Sequence, residues 1–249
     1  MKTTSLEITT ATERYELLLA EHIDDVRAAQ RLRYAVFNLE LHEGLSSAFE
    51  TGLDVDEFDD VCDHLIVRER VTGAIVGTYR MQTGGVAAAH HGYYSEREFN
   101  FLSLESVRHE LVELGRACVA ADHRNQTVLG LLWCGISLYA TVHGARYLVG
   151  CSSLTSQDEA AGLAVYRSLA AAHLVATRWQ TRPLPGLRCS ALSGTAIALP
   201  VPRLMRAYLA LGAKICGEPA IDREFGTIDF LTLLDLRALP VRVLQKFMA

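Results

Sequence analysis

The sequence predicts a mixed α/β fold, a central sheet flanked by helices, on three observations. Strand-like and helix-like segments alternate in the order strand, helix, hairpin, strand, helix, strand, helix. Half of the 249 residues are hydrophobic and 21% are charged, the balance of a globular chain long enough to bury a core. The stretch Glu110-Leu-Val-Glu-Leu-Gly-Arg-Ala-Cys-Val-Ala-Ala121 reads as a buried strand with a carboxylate, a glycine and an arginine at its middle. A single domain over residues 1–249 is expected.

Taken in order, Arg14 to Ala20 reads as an opening strand. From Asp24 a helical pattern begins, with Val26, Leu32, Val36, Phe37 and Leu41 forming an apolar stripe. Residues 43–62 are polar and acidic, a long loop. Two strands, His64–Arg70 and Ala74–Gln82, are joined by Val-Thr-Gly and predict a hairpin. Residues 83–109 read as irregular. The Glu110–Ala121 strand follows, then a helix over Asn125–His143, a strand over Arg146–Ser153 and a helix over Asp158–Val175. A proline-rich stretch leads into a helix at Arg203–Leu211. Short strands near Lys214–Gly217 and Thr227–Leu234 come next, and a terminal amphipathic helix from about Leu239.

Composition removes several function classes. A net charge of −5 argues against nucleic-acid binding driven by phosphate contacts. The six cysteines are scattered with no C-x-x-C pair, so neither a zinc site nor a disulfide framework is signalled. The paired histidines His90-His91 and His123 make no ligand set, and no metal is expected. The opening MKTTSLEITT lacks a basic region followed by an apolar core, so no signal peptide is expected. Residues 128–142 are apolar but too short to span a bilayer. The expected location is cytoplasmic. The basic terminal helix packs on the domain or, alternatively, docks at the inner membrane surface.

The chemistry concentrates in charged residues inside apolar segments. Glu113 and Arg116 alternate to opposite faces of a regular strand, and a bulge at Gly115 would bring them to one face. Arg33 and Phe37 share a helix face. Asp56-Glu-Phe-Asp59 sets carboxylates around an aromatic, suited to a loop that folds over a cationic substrate. Arg80 lies late in an apolar strand and requires an acidic partner, Glu113 or an aspartate.

Arg33-x-x-Val36-Phe37, Asp56-x-x-Asp59, His64-Leu-Ile66, Gly77-x-x-Arg80 and Glu113-x-Gly115-Arg116 follow the order and nearly the spacing of acyl-homoserine-lactone synthases. The resemblance covers about residues 14–155 and implies a GNAT-like acyltransferase fold with a bulged, splayed middle. The segment Leu199–Ala220, with Asp222, Phe225 and Asp229-Phe230, resembles the tail of bacterial ornithine N-acyltransferases. Leu41, His42 and Glu43 stand where the lactone synthases carry a tryptophan, which favours the ornithine enzymes.

That resemblance implies transfer of a 3-hydroxyacyl chain from acyl carrier protein to the α-amine of L-ornithine, giving lyso-ornithine lipid. It implies catalytic roles for Glu113, as general base, and Arg116. Arg33, Phe37, Asp56, Asp59 and Arg80 are the substrate-binding candidates, the aspartates for the side-chain ammonium. Coenzyme A sites place glycines before a helix to cradle the pyrophosphate. Here Arg124-Asn125-Gln-Thr127-Val-Leu129 keeps the arginine, with Thr127 and Leu129 at the glycine positions. Arg124, Asn125 and Thr127 are therefore expected to meet the single phosphodiester of a carrier-bound phosphopantetheine, with no other cofactor. The alternatives are an N-acyl amino acid synthase, an acyl-homoserine-lactone synthase, or a non-catalytic acyl-carrier-binding module.

Overall fold

A computed structural model describes residues 8–190 and 198–239. In chain order the strands are β1 (Thr10–Ala11), β2 (Tyr15–Leu19), β3 (Asp63–Glu69), β4 (Ile75–Thr83), β5 (Leu111–Val119), β6 (Tyr147–Leu154), β7 (Lys214–Ile215), β8 (Ala220–Asp222) and β9 (Thr227–Asp235). The helices are α1 (Ile23–Tyr34), α2 (Ala48–Thr51), α3 (Gly84–Ala89), α4 (Gln126–Val142), α5 (Glu159–His173) and α6 (Arg203–Ala210). The chain forms two compact units. The first holds residues up to 82 with 114–145; the second holds 83–113 with 146–239.

In the first unit β1 to β4 run antiparallel in sequence order, the β3–β4 hairpin turning through Gly73 at φ 72°. α4 lies on β2 and β3. Asn125 caps it by accepting a hydrogen bond from the Val128 amide, which satisfies one open donor of the first turn. The approach of α4 is close: a Cβ added at Gly135 would stand 2.7 Å from Leu65 Cδ1 and 2.9 Å from Leu17 Cδ2. Glycine is the side chain that fits there. Leu17 and Leu65 therefore point toward α4, and alternation puts His64 and Arg80, cross-strand partners on β3 and β4, on the opposite face. α1 packs on β3 and runs on as a π-helical segment, Ala35–Glu40.

The second unit pairs the start of β5 with β6 in parallel (Leu111↔Tyr147, Glu113↔Val149). β9 pairs antiparallel with β6, β7 and β8, so the sheet is mixed, as expected. An apolar layer lies on each face. One contains Tyr93, Phe99, Leu111, Val149 and Leu231; the other contains Val165, Met205, Ile228 and Phe230.

Several expectations need correction. Residues 43–62 are not all loop: they hold α2 and a 3-10 turn, Glu57–Asp60, capped by Asp56. Residues 83–109 contain α3 and two 3-10 turns. β8 was not expected, its three residues being too few for a periodic pattern. The terminal helix lies outside the described residues beyond a 3-10 turn at Leu236–Ala238. Among the described residues no helix is long and apolar enough to cross a membrane.

Candidate active site

The first unit carries a buried array of alternating charges. Arg33, fully buried on α1, donates from Nε to Asp54 Oδ2 at 2.8 Å, from Nη2 to Asp59 Oδ2 at 2.6 Å and to the Asp54 carbonyl. Arg80 reaches Asp59 at 2.9 Å and also Asp56; Arg116 reaches Asp56 at 2.9 Å and Asp54 at 3.3 Å. Gln30 adds a hydrogen bond to Asp59 at 3.0 Å. Buried guanidinium forks need planar bidentate acceptors, which come from Asp59 in the 3-10 turn Glu57–Asp60, from its cap Asp56 and from Asp54 just before it. Five of the expected residues thus come together: Arg33, Asp56, Asp59, Arg80 and Arg116. Arg80 takes an aspartate, one of its two expected partners. Phe37 is buried one helical turn beyond Arg33.

The electrostatics follow from that pairing. Burial works to raise the Asp59 carboxyl, but the Arg33 and Arg80 charges outweigh it and hold Asp59 well below the carboxylate range. Asp56 is likewise lowered, burial being outweighed by Arg80 and Arg116. His64, whose Nε2 stands 3.1 Å from the Asp59 carbonyl, is depressed by burial first, with the arginines opposing its protonation. It is therefore neutral at pH 7. Three arginines meet three aspartates, so the array is closed electrically.

β5 departs from ordinary backbone geometry at Arg116, next to the glycine at which a bulge was expected. Gly115 has an ordinary backbone with open space at its Cβ; Arg116 is the residue with φ 49°, in the left-handed region. A non-glycine residue held there costs of order 1–3 kcal/mol, and the aspartates that grip its guanidinium hold it.

The second unit carries Glu113, buried, with its carboxylate fixed by three donors. The Tyr94 amide reaches Oε2 at 2.8 Å, the Ser95 amide reaches Oε1 at 2.9 Å, and the Ser95 hydroxyl also donates to Oε1. The 3-10 turn Tyr94–Arg97 presents these amides. Along the same face of the sheet lie Val149, Cys151 and Ser153 of β6 and, opposite Ser153, Asp229 of β9. Glu98, just past the turn, brings its carboxyl to Cys151 and Asp229, with ligand-capable atoms of all three within 4.8 Å of one another. Glu98 and Ser95 escaped the sequence reading; Asp229 was singled out without a role.

The expected carrier-binding residues are not members of the first unit's charged array. Arg124 is exposed and paired with Glu40 at 2.5 Å and 2.7 Å. Asn125 is the α4 cap, and Thr127 is exposed in its first turn.

Comparison with known proteins places these features in context. Residues 32–134 match the Acetyltransferase (GNAT) domain family. The L-ornithine N(alpha)-acyltransferase of Rhodobacter capsulatus is 33% identical over 236 residues, covering 90% of this chain and 91% of the relative. That of Agrobacterium fabrum is 33% identical, covering 93% of this chain and 84% of the relative. Among solved structures, FeeM, an N-acyl amino acid synthase from uncultured soil microbes, superposes with a TM-score of 0.54 at 12% identity, over 90% of this chain and 92% of that one. The GNAT-like fold expected from the motifs is thereby established.

Proposed function

The chain belongs to the family of L-ornithine N(alpha)-acyltransferases, and from that premise we propose that it moves a 3-hydroxyacyl chain from acyl carrier protein to the α-amine of L-ornithine. The carrying observation is the 33% identity sustained over 90% of the chain. The product is a lyso-ornithine lipid.

The chemistry requires an unprotonated amine to attack a thioester carbonyl. Glu113 is the proposed acceptor of the amine's proton, directly or through one water. Its three hydrogen bonds favour the ionised form and fix its direction, which suits a base more than an acid. The amine nitrogen bonds to the thioester carbon, the carbonyl electrons move onto oxygen, and collapse expels the carrier's thiolate, which takes up a proton. Backbone amides beside Arg116, where β5 departs from regular geometry, are the candidates to meet the oxyanion. Arg33 and Arg80 hold the aspartates that position Arg116.

Acyl carrier protein is favoured over coenzyme A as donor. Thr127 and Leu129 stand where a pyrophosphate cradle uses glycines, while a phosphodiester needs fewer amides. Arg124 sits just before the α4 N-terminus, and its pair with Glu40 is exposed, hence weak enough to exchange for a phosphate.

Lipid extracts of an expressing host should contain amide-linked 3-hydroxyacyl ornithine by mass spectrometry. Acyl homoserine lactone with ornithine untouched would overturn the acceptor. Equal kcat/KM for matched acyl-carrier and acyl-CoA donors would overturn the donor.

A further inference from the structure

In the second unit two carboxyls are buried without an ion pair among the described residues. Glu98 and Asp229 are 4% and 3% exposed. Both carboxyl oxygens of Glu98 and Oδ1 of Asp229 lack a well-aligned hydrogen-bond donor, although the two side chains, with Cys151 beside Glu98 and Ser153 and Thr227 beside Asp229, are close enough to perturb one another. A buried polar atom without a partner is costly and rare, so three in one spot call for a ligand. Cys151 and Asp222 are the close neighbours, and Asp222 receives the Tyr94 hydroxyl at 3.3 Å. Cys151, Tyr94 and Asp222 keep partial exposure, so the pair lies one side chain below the surface.

We propose that Glu98 and Asp229 form the recognition site for a primary ammonium, the side-chain δ-ammonium of the ornithine acceptor. This assignment rests on the proposed function. It moves that role away from Asp56 and Asp59, whose carboxylates are taken by Arg33, Arg80 and Arg116. An ammonium brings one positive charge and three donors, matching the three unpartnered oxygens. The position also fits. Asp229 lies opposite Ser153, and Glu113 opposite Val149, with Cys151 between them on the same face of β6. An amino acid with its α-amine at Glu113 directs its side chain along β6 toward the pair.

Without the amine, the pair is relieved by a proton. Burial first, then the Asp229 and Asp222 charges, push the Glu98 carboxyl well above its usual range; Asp229 is raised by burial to about 6. At neutral pH the incoming ammonium displaces that proton. The Cys151 thiol is pushed up by burial and by the same carboxylates, so it stays protonated and is a poor thiolate ligand for a metal.

The test is calorimetric titration of the full chain with ornithine and with norvaline, which keeps the α-amine and lacks the δ-amine. Ornithine should bind about 10–100-fold more tightly, the worth of a charged hydrogen-bonding group. Titration in buffers of different ionisation enthalpy should show proton release with ornithine and none with norvaline. In Glu98→Gln and Asp229→Asn the preference should collapse while norvaline binding holds; in Asp56→Asn the preference should persist. Equal binding of both ligands by the wild type, or a preference lost only in Asp56→Asn, overturns the proposal. So does a tight zinc complex that blocks ornithine. Turnover is the separate readout: a clear ornithine preference without acyl transfer sinks the proposed function and leaves this site standing.

Discussion

The two units bury charge in opposite ways. The first sets Arg33, Arg80 and Arg116 against Asp54, Asp56 and Asp59, and each guanidinium is gripped by two carboxylates. The second buries Glu98 and Asp229 with no ion pair to either among the described residues, beside a Glu113 that accepts hydrogen bonds from two amides and a hydroxyl. A closed array positions; an open one binds. The first holds backbone in place, including the left-handed Arg116, while the second keeps negative charge free for a cationic amine.

The largest expected effect tests the closed array. Arg33→Ala leaves Asp54 and Asp59 buried without their main partner, and breaking such a pair costs about 3–5 kcal/mol. Denaturant titration should show that loss. A change under about 1 kcal/mol would mean that the array is not what holds the first unit.

The open cluster should respond with the opposite sign. Asp229→Asn removes a buried acid and should stabilise the ligand-free protein by roughly 1–3 kcal/mol above pH 6. Its raised folded pKa means that the native state binds more protons than the unfolded state between about 4 and 6. Wild-type stability from this group is therefore lost as pH rises through that window. Asp56 and Asp59, both lowered, contribute stability present above about 4 and lost as pH falls below it. Thermal melts across pH should show the Asp229→Asn gain growing from pH 4 to 6. A gain independent of pH would remove Asp229 titration from the account.

The smallest stability effect belongs to Arg124. Its exposed pair with Glu40 is worth under ~1 kcal/mol, so Arg124→Ala should melt within a few degrees of the parent. The same variant should raise KM for acyl carrier protein several-fold with little change in KM for ornithine. An unchanged donor KM would detach Arg124 from the carrier's phosphate.

The contrast explains what the sequence disclosed. The β3–β4 hairpin, α4 and α5 were legible because apolar periodicity is local. Arg33, Asp56, Asp59, Arg80 and Arg116 were legible because their motif order survives; their mutual pairing also follows from the cost of burying an arginine alone. Asp54 was missed as a member because only the geometry of the turn brings it to Arg33. Glu98 was invisible for a different reason. It meets Asp229 only because β9 pairs antiparallel with β6, a contact between residues more than 100 positions apart. Periodicity within either segment carries no trace of it. At β5 the left-handed backbone falls on Arg116 and not on the neighbouring glycine, since it is held by the side-chain partners of Arg116 rather than by residue type.

The central claim is that proton transfer from the amine occurs at Glu113, and steady-state kinetics of Glu113→Gln test it most directly. Glutamine can keep its carbonyl toward Ser95 but turns an NH2 toward the Tyr94 amide, so one hydrogen bond is lost and the melt should drop modestly. Measured well below that melt, kcat should fall by about 10²–10⁴-fold while KM for ornithine stays near the parent value. A folded Glu113→Gln enzyme that keeps more than about a third of the parent kcat, far outside that range, would contradict the assignment.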